Sequence, residues 1–327
     1  SMVINAGETE NKGIDLTINS TNITNKYFTW NTSITLSHNK NSVKKLTGED
    51  VQLWEANFGY SQNTHIIGVN QPLGQMYGYV TDGLYQVSDF DYDAATKTYT
   101  LKDGVPYAGE KGNVKPGMWK FKNIDGSKDN KITEADKTVI GNAYPKLYGG
   151  INNTFTYKDF DLSIFLTYSI GNDVFNATKL TNTKTALQNK NVLAVADSKH
   201  RWVLVNKAGD LITDPQEMAD INKGKTVAAI YDNEAGDTYI HSWAVEDGSF
   251  LKLSNITLGY TFPKKMIRKV GLSKLRLYAT GSNLLTWTKY SGFDPEVSTM
   301  GNGLTPGVDF GAYPRSRAFV FGINLAF

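Results

Sequence analysis

The chain has 327 residues, a formal net charge of +2 and no cysteine. The near-neutral charge gives no basis for a nucleic-acid partner, and the missing cysteines exclude disulfides, thiolate metal sites and a cysteine nucleophile. No run of about 18 apolar residues is present, which excludes a transmembrane helix but not a membrane-spanning barrel. No signal peptide opens the chain, and Ser1-Met2 reads as a cloning remnant or a cut point, so we expect a fragment.

The first predicted element is a β-hairpin. Ile14, Leu16 and Ile18 alternate with polar residues, and a polar turn near residues 22–26 follows them. Alternation then resumes at Phe28, Trp30, Thr32, Ile34 and Leu36. A strict period of two residues indicates a half-buried strand.

Residues 39–148 break this pattern. They form a long stretch punctuated by glycine and asparagine, with only short apolar pieces. Because a structureless loop of this length is unusual in a compact protein, we expect it to carry a small substructure of its own. Large loops at one rim are typical of outer-membrane barrels. We therefore interpret residues 39–148 as an extracellular loop region.

The middle of the chain repeats the same alternation of strand and long connection. Alternation returns at residues 150–170, around a tight turn at Lys158-Asp159, and Phe165 is the exception among the polar positions. Residues 171–246 form a second polar excursion. Within it, Asp214-Pro215 predicts a short helix to Ile221, since Asp suits the N-cap and Pro the first helical position.

The last third is rich in strands. Alternating runs cover residues 250–262 and 275–280, a further loop covers residues 288–316, and a terminal strand follows. One face of that strand carries Phe319, Phe321, Ile323, Leu325 and Phe327. We interpret these five residues as a membrane-insertion signal. In all, about seven long strands are joined alternately by tight turns and very long loops, which is typical of an outer-membrane barrel. A soluble β-sandwich has the same alternation.

The sharpest local motif is an EF-hand-like loop at residues 125–136. Its spacing matches the ligand positions of a calcium loop. The candidate metal ligands are Asp125, Ser127, Asp129, the Lys131 carbonyl, Thr133 and Asp136. Asn130 stands where glycine is usual, and long flanking helices are missing. The sequence thus predicts a structural calcium ion, and a plain Asx-rich turn is the alternative.

No catalytic constellation is present. The four histidines are scattered, no nucleophile elbow or phosphate-binding loop occurs, and Asp294-Pro295-Glu296 reads as a turn before a strand. We therefore do not expect an enzyme. Aromatic residues of the first long region are candidates for stacking on sugars or contacting a partner, or else for a small local core. They are Trp54, Tyr77, Tyr79, Tyr85 and Trp119.

An ordered series of segments resembles the C-terminal part of the SusC/RagA family. The series includes GQMYGY and DGLYQ in the first long region, PGMWKF before the acidic loop, and DKTVIG after it. It continues with VEDGSFL, NL followed by YSGFDPE, and YPRSR before the terminal strand. The resemblance covers nearly the whole chain. It departs from the family pattern at Ser127 and Asn130 of the acidic loop.

The resemblance implies a barrel of about 22 strands with an N-terminal plug. It implies import driven by TonB through upstream segments, and a SusD-like surface lipoprotein as lid. The expected fold class is thus all-β, the C-terminal portion of an antiparallel transmembrane barrel with long extracellular loops. The expected role is nutrient uptake across the outer membrane, with oligosaccharides favoured over peptides. The alternative is a soluble secreted, calcium-stabilised module that binds glycans.

Overall fold

The computed structural model describes residues 7–56, 58, 62–183, 191–231, 239–299 and 303–327. Within these ranges the chain forms twenty strands and three short α-helices. The first strands are β1 (Gly7–Thr24), β2 (Phe28–Leu46), β3 (Val51–Glu55), β4 (Asn63–Gly68), β5 (Gln75–Tyr79), β6 (Thr81–Leu84), β7 (Phe90–Asp93), β8 (Thr98–Leu101), β9 (Tyr107–Ala108), β10 (Trp119–Phe121), β11 (Lys131–Ile132) and β12 (Lys137–Asn142). There follow β13 (Leu147–Tyr157), β14 (Phe160–Ile170), β15 (Asp173–Asn176), α1 (Ala177–Asn182), α2 (Pro215–Ile221), β16 (Val245–Asp247), β17 (Phe250–Thr261), α3 (Lys264–Ile267), β18 (Lys274–Thr288), β19 (Val308–Asp309) and β20 (Ala318–Ala326).

Seven strands form one antiparallel sheet in the order β1-β2-β13-β14-β17-β18-β20. The order follows the chain, so each strand pairs with the next long strand of the sequence. The register places Ile18 opposite Ile34, and Ile34 opposite Ile151, so apolar positions continue from strand to strand. The all-β antiparallel fold predicted from the alternation is confirmed.

Short turns join the strands at one end of the sheet, which we call the turn end. Between β1 and β2, the Asn25 side-chain oxygen accepts hydrogen bonds from the main-chain N–H groups of Tyr27 (3.0 Å) and Phe28 (2.9 Å). This is an Asx turn, which reverses the chain with local hydrogen bonds. Between β13 and β14 only Lys158 and Asp159 intervene, and Lys158 adopts a positive φ of 53°.

Three long connections leave the opposite end of the sheet. The first joins β2 to β13, the second joins β14 to β17, and the third joins β18 to β20. We call their described residues the loop body, which comprises residues 47–56, 58, 62–146, 171–183, 191–231, 239–249, 289–299 and 303–317. The loop body contains a four-stranded sheet in the order β12-β5-β4-β3 and a three-stranded sheet in the order β16-β15-β19. Because β15 and β16 belong to the second connection and β19 to the third, these connections fold together.

The large sheet has two chemically different faces, because successive side chains of a strand point to opposite sides. The apolar face carries Ile14, Leu16, Ile18, Ile34, Ile151, Leu162, Ile164, Ile256, Leu258, Leu277, Phe319, Phe321, Ile323 and Leu325. The polar face carries Ser33, Thr35, Asn152, Ser163, Thr167, Asn255, Thr257, Thr280 and Ser282. Apolar residues are therefore concentrated on one side of an otherwise polar sheet.

Phe165 is the aromatic exception on the polar face, and a glycine explains its position. A Cβ atom built on Gly150 of β13 would lie 2.9 Å from the Phe165 ring. The ring thus lies across the neighbouring strand where no side chain stands. Tyr278 covers Gly322 of β20 in the same way. Such aromatic cover compensates for the missing side chain of a glycine in a strand.

Two predicted boundaries can be compared with the structure. β2 continues to Leu46 because β1 pairs with it as far as Gly7, so the loop region predicted from residue 39 begins at residue 47. The predicted helix is confirmed as α2, and the Asp214 carboxylate accepts a hydrogen bond from the Glu217 N–H (2.7 Å). Among the described helices, none has the length and apolar character needed to cross a bilayer.

Candidate functional site

The loop body has its own hydrophobic cores. One buried cluster joins residues of the first and second connections. Its members include Tyr79, Leu84, Trp119, Phe121, Ile132, Trp202, Ile212 and Met218. A second cluster joins all three connections through Met76, Phe175 and Val308. The three connections are thus one packed body rather than independent loops.

The predicted contact aromatics divide into two groups. Tyr79 and Tyr85 are each 2% exposed and Trp119 is 8% exposed, so these three side chains belong to the cores. Of the two alternatives that the sequence leaves open, the small local core is therefore correct for these three residues, and surface contact is not. Trp54 and Tyr77 are half-buried and line a cavity of about 720 Å³ beside β3, so they remain candidates for contact.

His65 links the first connection to the third by a hydrogen bond. Its ring nitrogens lie 2.9 Å from the Thr64 hydroxyl and 3.0 Å from the Pro306 carbonyl, 241 positions away. Burial lowers the pKa of His65 to about 4, although the hydrogen bond to Pro306 acts in the opposite direction. The imidazole is therefore neutral at physiological pH, and it donates from one nitrogen and accepts at the other.

His241 fastens the second connection to the first. Its Nδ1 lies 2.8 Å from the Thr81 hydroxyl, and its ring centroid lies 4.8 Å from that of Trp119 and 5.4 Å from that of Phe121. The side chain is 1% exposed. The scattered histidines of the sequence thus include two that hold distant segments together inside the loop body.

Glu246 joins the second connection to the third, and Tyr290 forms a buried hydrogen bond within the third. Glu246 accepts hydrogen bonds from the Ser291 N–H and hydroxyl (2.8 Å each) and pairs with Lys179 at 3.1 Å. Burial opposes ionisation of Glu246, but the Ser291 bonds and the Lys179 charge outweigh it and lower its pKa. The Tyr290 hydroxyl donates to Asp309 at 2.5 Å, and burial together with this bond raises the pKa of Tyr290.

The Asp294-Pro295-Glu296 segment attaches the third connection to the polar face of the sheet. Asp294 pairs with Arg315 (2.6 Å), and Glu296 pairs with Lys252 of β17 (2.7 Å). The turn predicted for this segment is therefore also an ionic anchor. Sequence reasoning missed Lys252; a lysine inside an alternating strand is the signal that could have indicated it.

The acidic loop at residues 125–136 is organised by hydrogen bonds. The Asp136 side chain is buried and accepts from the main-chain N–H groups of Ile124 (2.8 Å), Asp125 (3.2 Å) and Thr133 (2.7 Å). Asp129 accepts from the Lys131 N–H (3.0 Å) and the Ser127 hydroxyl, and Asn130 has a positive φ of 57°. Asn130 thus adopts the backbone conformation expected at that loop position.

These contacts are those of an Asx-rich turn. The carboxylate of Asp136 accepts hydrogen bonds from the loop's own N–H groups, two of them at Ile124 and Asp125. In the described parts of the chain, no three His, Cys, Asp or Glu side chains are grouped so as to hold a metal ion. The calcium ion expected at Asp125, Ser127, Asp129, the Lys131 carbonyl, Thr133 and Asp136 stays a prediction.

Neutral hydrogen-bonding groups line the polar face between the loop body and the turn end. Asn255 donates to the Ser282 hydroxyl (2.8 Å), and Ser163 donates to the Asn152 oxygen (3.1 Å). The exposed Phe165 ring lies between Asn152 and Asn255 in the register. Hydroxyl, amide and aromatic groups of this kind suit an uncharged polar ligand.

The apolar face is exposed, and aromatic rings concentrate at its turn end. The predicted insertion residues Phe319, Phe321, Ile323, Leu325 and Phe327 are between 54% and 91% exposed. At the turn end, Phe28 and Trp30 stack on Phe155 at centroid distances of 6.4 and 5.7 Å, and Phe160 contacts Tyr260 at 4.7 Å. A contiguous exposed apolar surface of this extent requires a nonaqueous or protein neighbour.

No family model matches the chain, but curated relatives do. Over its full length it is 33% identical to TonB-dependent receptor P3 of Formosa agariphila, and over 99% of its length it is 30% identical to receptor P39 of the same organism. It is 28% identical to TonB-dependent receptor SusC of Bacteroides thetaiotaomicron. The chain spans only 30%, 31% and 27% of these relatives, respectively.

Solved structures share the fold. The RagAB peptide transporter matches 99% of the chain with a TM-score of 0.67 at 22% sequence identity, and the chain covers 30% of that protein. The RagAB peptide importer in the closed-closed state gives the same TM-score at 20% identity and similar coverage. The class of protein is therefore a TonB-dependent receptor. Within that class, the chain belongs to the SusC/RagA family.

Proposed function

We propose that this chain forms part of the barrel wall and the extracellular loops of an outer-membrane importer driven by TonB. The observation that carries the proposal is the chemical difference between the two faces of the seven-stranded sheet. One face carries large apolar side chains on every strand, and the other carries hydroxyl and amide groups. Lipid on one side and a polar lumen on the other account for both faces at once.

The length of the apolar band supports a position in the outer membrane. Along β14, eight residues separate Phe160 at the turn end from Tyr168 near the loop body. At about 3.3 Å per residue and a strand tilt of about 40°, this part of the band is about 20 Å tall. The apolar band of outer-membrane barrels is about 25 Å tall. On this arrangement the loop body lies outside the cell and the turn end faces the periplasm.

Oligosaccharides are the substrates that we propose. The polar face presents mainly neutral hydroxyl and amide groups, and Phe165 offers an exposed ring among them. Sugars are recognised by such hydrogen-bonding groups together with aromatic surfaces, so this wall suits them better than it suits a charged solute. The sequence relationship with SusC supports the same direction. Peptides, the cargo of the RagAB neighbours, are the competing class.

We further propose that a SusD-like lipoprotein covers the loop body and that TonB acts through parts of the receptor outside this chain. The half-buried Trp54 and Tyr77 line a broad cavity next to the exposed Leu53. An apolar, aromatic recess on the outward end of the molecule is a suitable docking site for such a lid.

Fractionation of the receptor expressed with its native upstream region tests the proposal. We expect the protein in the outer membrane, with gel migration that changes on heating because a folded barrel resists detergent. Purified receptor in detergent should then bind oligosaccharides more tightly than matched peptides. A monodisperse protein that is soluble without detergent would contradict the proposal and favour the secreted glycan-binding module.

A further inference from the structure

The connection between β17 and β18 is the most cationic stretch of the described chain. Residues 262–274 contain five cations and no carboxylate, although the whole chain has a net charge of only +2. The cations are Lys264, Lys265, Arg268, Lys269 and Lys274. We call residues 262–274 the cationic turn. Like charges at this density repel each other unless an anionic neighbour compensates them.

Four of these five cations have no ion-pair partner among the described residues. The side chains of Lys264, Lys265, Arg268 and Lys269 are exposed, and none of the ion pairs among the described residues includes them. The nearby carboxylate of Asp161 is held by Arg276 at 2.9 Å from its Nε. The remaining carboxylate of the adjoining turns is the exposed Asp159. The excess of positive charge therefore faces outward from the turn end.

Exposed apolar side chains stand among these cations. Met266 is 61% and Val270 is 71% exposed, whereas Ile267 is buried and anchors the turn. An exposed methionine and valine between cations suit contact with a lipid surface, which has charged headgroups outside and an apolar interior. A soluble acidic protein would provide the charge but gives no reason for this apolar pair.

The cationic turn also lies beside the aromatic end of the apolar face. The ring of Phe262 at its start contacts Tyr260 at a centroid distance of 5.0 Å. At the same end of the sheet, Lys26 of the β1–β2 turn and Lys158 of the β13–β14 turn lie 5.2 and 5.7 Å from the ring of Tyr27. Aromatic rings and lysine side chains concentrate together at the interface between membrane and water. The same combination therefore recurs in the other turns at this end of the sheet.

We propose that the cationic turn binds the anionic phospholipid headgroups of the membrane leaflet at the turn end. The proposal rests on the proposed function, because it needs the apolar face to lie in lipid. Lys264, Lys265, Arg268 and Lys269 contact headgroup phosphates, while Met266 and Val270 reach the upper part of the acyl chains. Anionic leaflets attract such basic segments, and the attraction falls off within a Debye length.

Lipid selectivity at Val270 tests this proposal in the full-length receptor. The chain has no cysteine, so Val270→Cys gives a unique label position within it for a fluorescent bimane. The receptor is reconstituted into vesicles of phosphatidylcholine and phosphatidylglycerol, and only one of the two lipids carries quenching bromines on its acyl chains. Comparing the two labelled preparations measures which lipid is enriched at the turn, with membrane composition held constant.

We expect brominated phosphatidylglycerol to quench about five-fold more effectively per molecule than brominated phosphatidylcholine, the equivalent of about 1 kcal/mol for one cation at an anionic surface. Replacing Lys264, Lys265, Arg268 and Lys269 by Gln should remove this preference, and so should raising the salt from about 0.1 M to about 1 M. A matched control makes the same replacement at the exposed Lys128, Lys199, Lys207 and Lys223 of the loop body. The control should keep the preference.

The outcomes separate the two proposals. If the receptor shows heat-modifiable migration but both lipids quench equally, or if the control replacement has the same effect as the turn replacement, the headgroup site is overturned and the barrel assignment stands. Loss of the quenching by brominated phosphatidylglycerol when a poly-glutamate peptide is added overturns it in favour of an acidic protein partner. If neither lipid quenches and migration does not change on heating, the membrane assignment itself fails.

Discussion

The sheet and the loop body of this chain are built on different principles. In the sheet, each long strand pairs with the next one along the sequence, and register plus alternation determine where every side chain points. In the loop body, single side chains join segments 160 or 241 positions apart, as His241 and His65 do. A repeated local pattern defines the first region, and a few long-range contacts define the second.

This difference determines what a substitution does in each region. A substitution on the sheet changes how well one side chain suits the surroundings of its face. Its effect depends on which face the side chain lies on and on its position along the strand. A substitution in the loop body breaks one specific contact between distant segments, and its effect depends on burial. The following predictions use matched pairs of residues to separate these two kinds of effect, beginning with the largest.

Ile256→Arg should be the most damaging change. Ile256 lies on the apolar face midway along β17, where an arginine in contact with lipid costs about 2–4 kcal/mol. Asn255→Arg places the same side chain at the same depth on the polar face and should cost only the hydrogen bond to Ser282, about 1 kcal/mol. Unfolding by urea in vesicles measures both. Equal costs would contradict the assignment of the two faces.

Acid should loosen the loop body through His65. Its folded pKa of about 4 lies below the usual value of 6.5, so the unfolded state binds the proton first. The neutral ring's contribution is complete above pH about 6.5, and stability falls as the pH drops toward 4, by roughly 2–3 kcal/mol. Hydrogen exchange of β4 as a function of pH measures this loss. His65→Gln should weaken the protein at neutral pH and remove this part of the acid response; an unchanged acid response would contradict the role of His65.

Lys252→Met should release the third connection from the sheet. It removes the nearer of the two cations that pair with Glu296 and leaves only Arg315, at 3.5 Å. Because Glu296 keeps this second partner and some solvent contact, we expect a cost of about 1–2 kcal/mol. Limited proteolysis of residues 289–299 and 303–317 should become faster, while heat-modifiable migration persists. The double variant with Glu296→Gln should recover part of the loss. Additive effects of the two substitutions would show that the pair is not coupled.

Asp136→Ala should have a smaller, local effect. It leaves the partly buried N–H groups of Ile124 and Thr133 without their acceptor, which costs about 1 kcal/mol. Asp129→Ala removes an exposed acceptor and should destabilise the loop less than Asp136→Ala does. Hydrogen exchange of the loop amides measures which of the two substitutions destabilises the loop more. If calcium chelation loosens the loop in the unsubstituted protein, the predicted calcium site is confirmed and a plain Asx-rich turn is the wrong interpretation.

The sequence predicts most of the sheet but little of the loop body. Alternation identifies the β1–β2 hairpin and the terminal strand, and the Asp214-Pro215 pair identifies α2, because these signals are local. Burial of Tyr79, Tyr85 and Trp119 depends on which distant segments meet, and no period in the sequence encodes that. The EF-hand-like spacing at residues 125–136 is real, but Asp136 is engaged by main-chain N–H groups that the spacing does not reveal.

Solvent accessibility along β17 tests the central claim most directly. A nitroxide label is attached in turn at Asn255, Ile256, Thr257 and Leu258 of the receptor in vesicles, and its collisions with oxygen and with a water-soluble nickel complex are measured. We expect Ile256 and Leu258 to meet oxygen in the lipid, and Asn255 and Thr257 to meet the nickel complex or neighbouring protein, with a period of two residues. Equal access of the nickel complex to all four positions would contradict a membrane-spanning sheet.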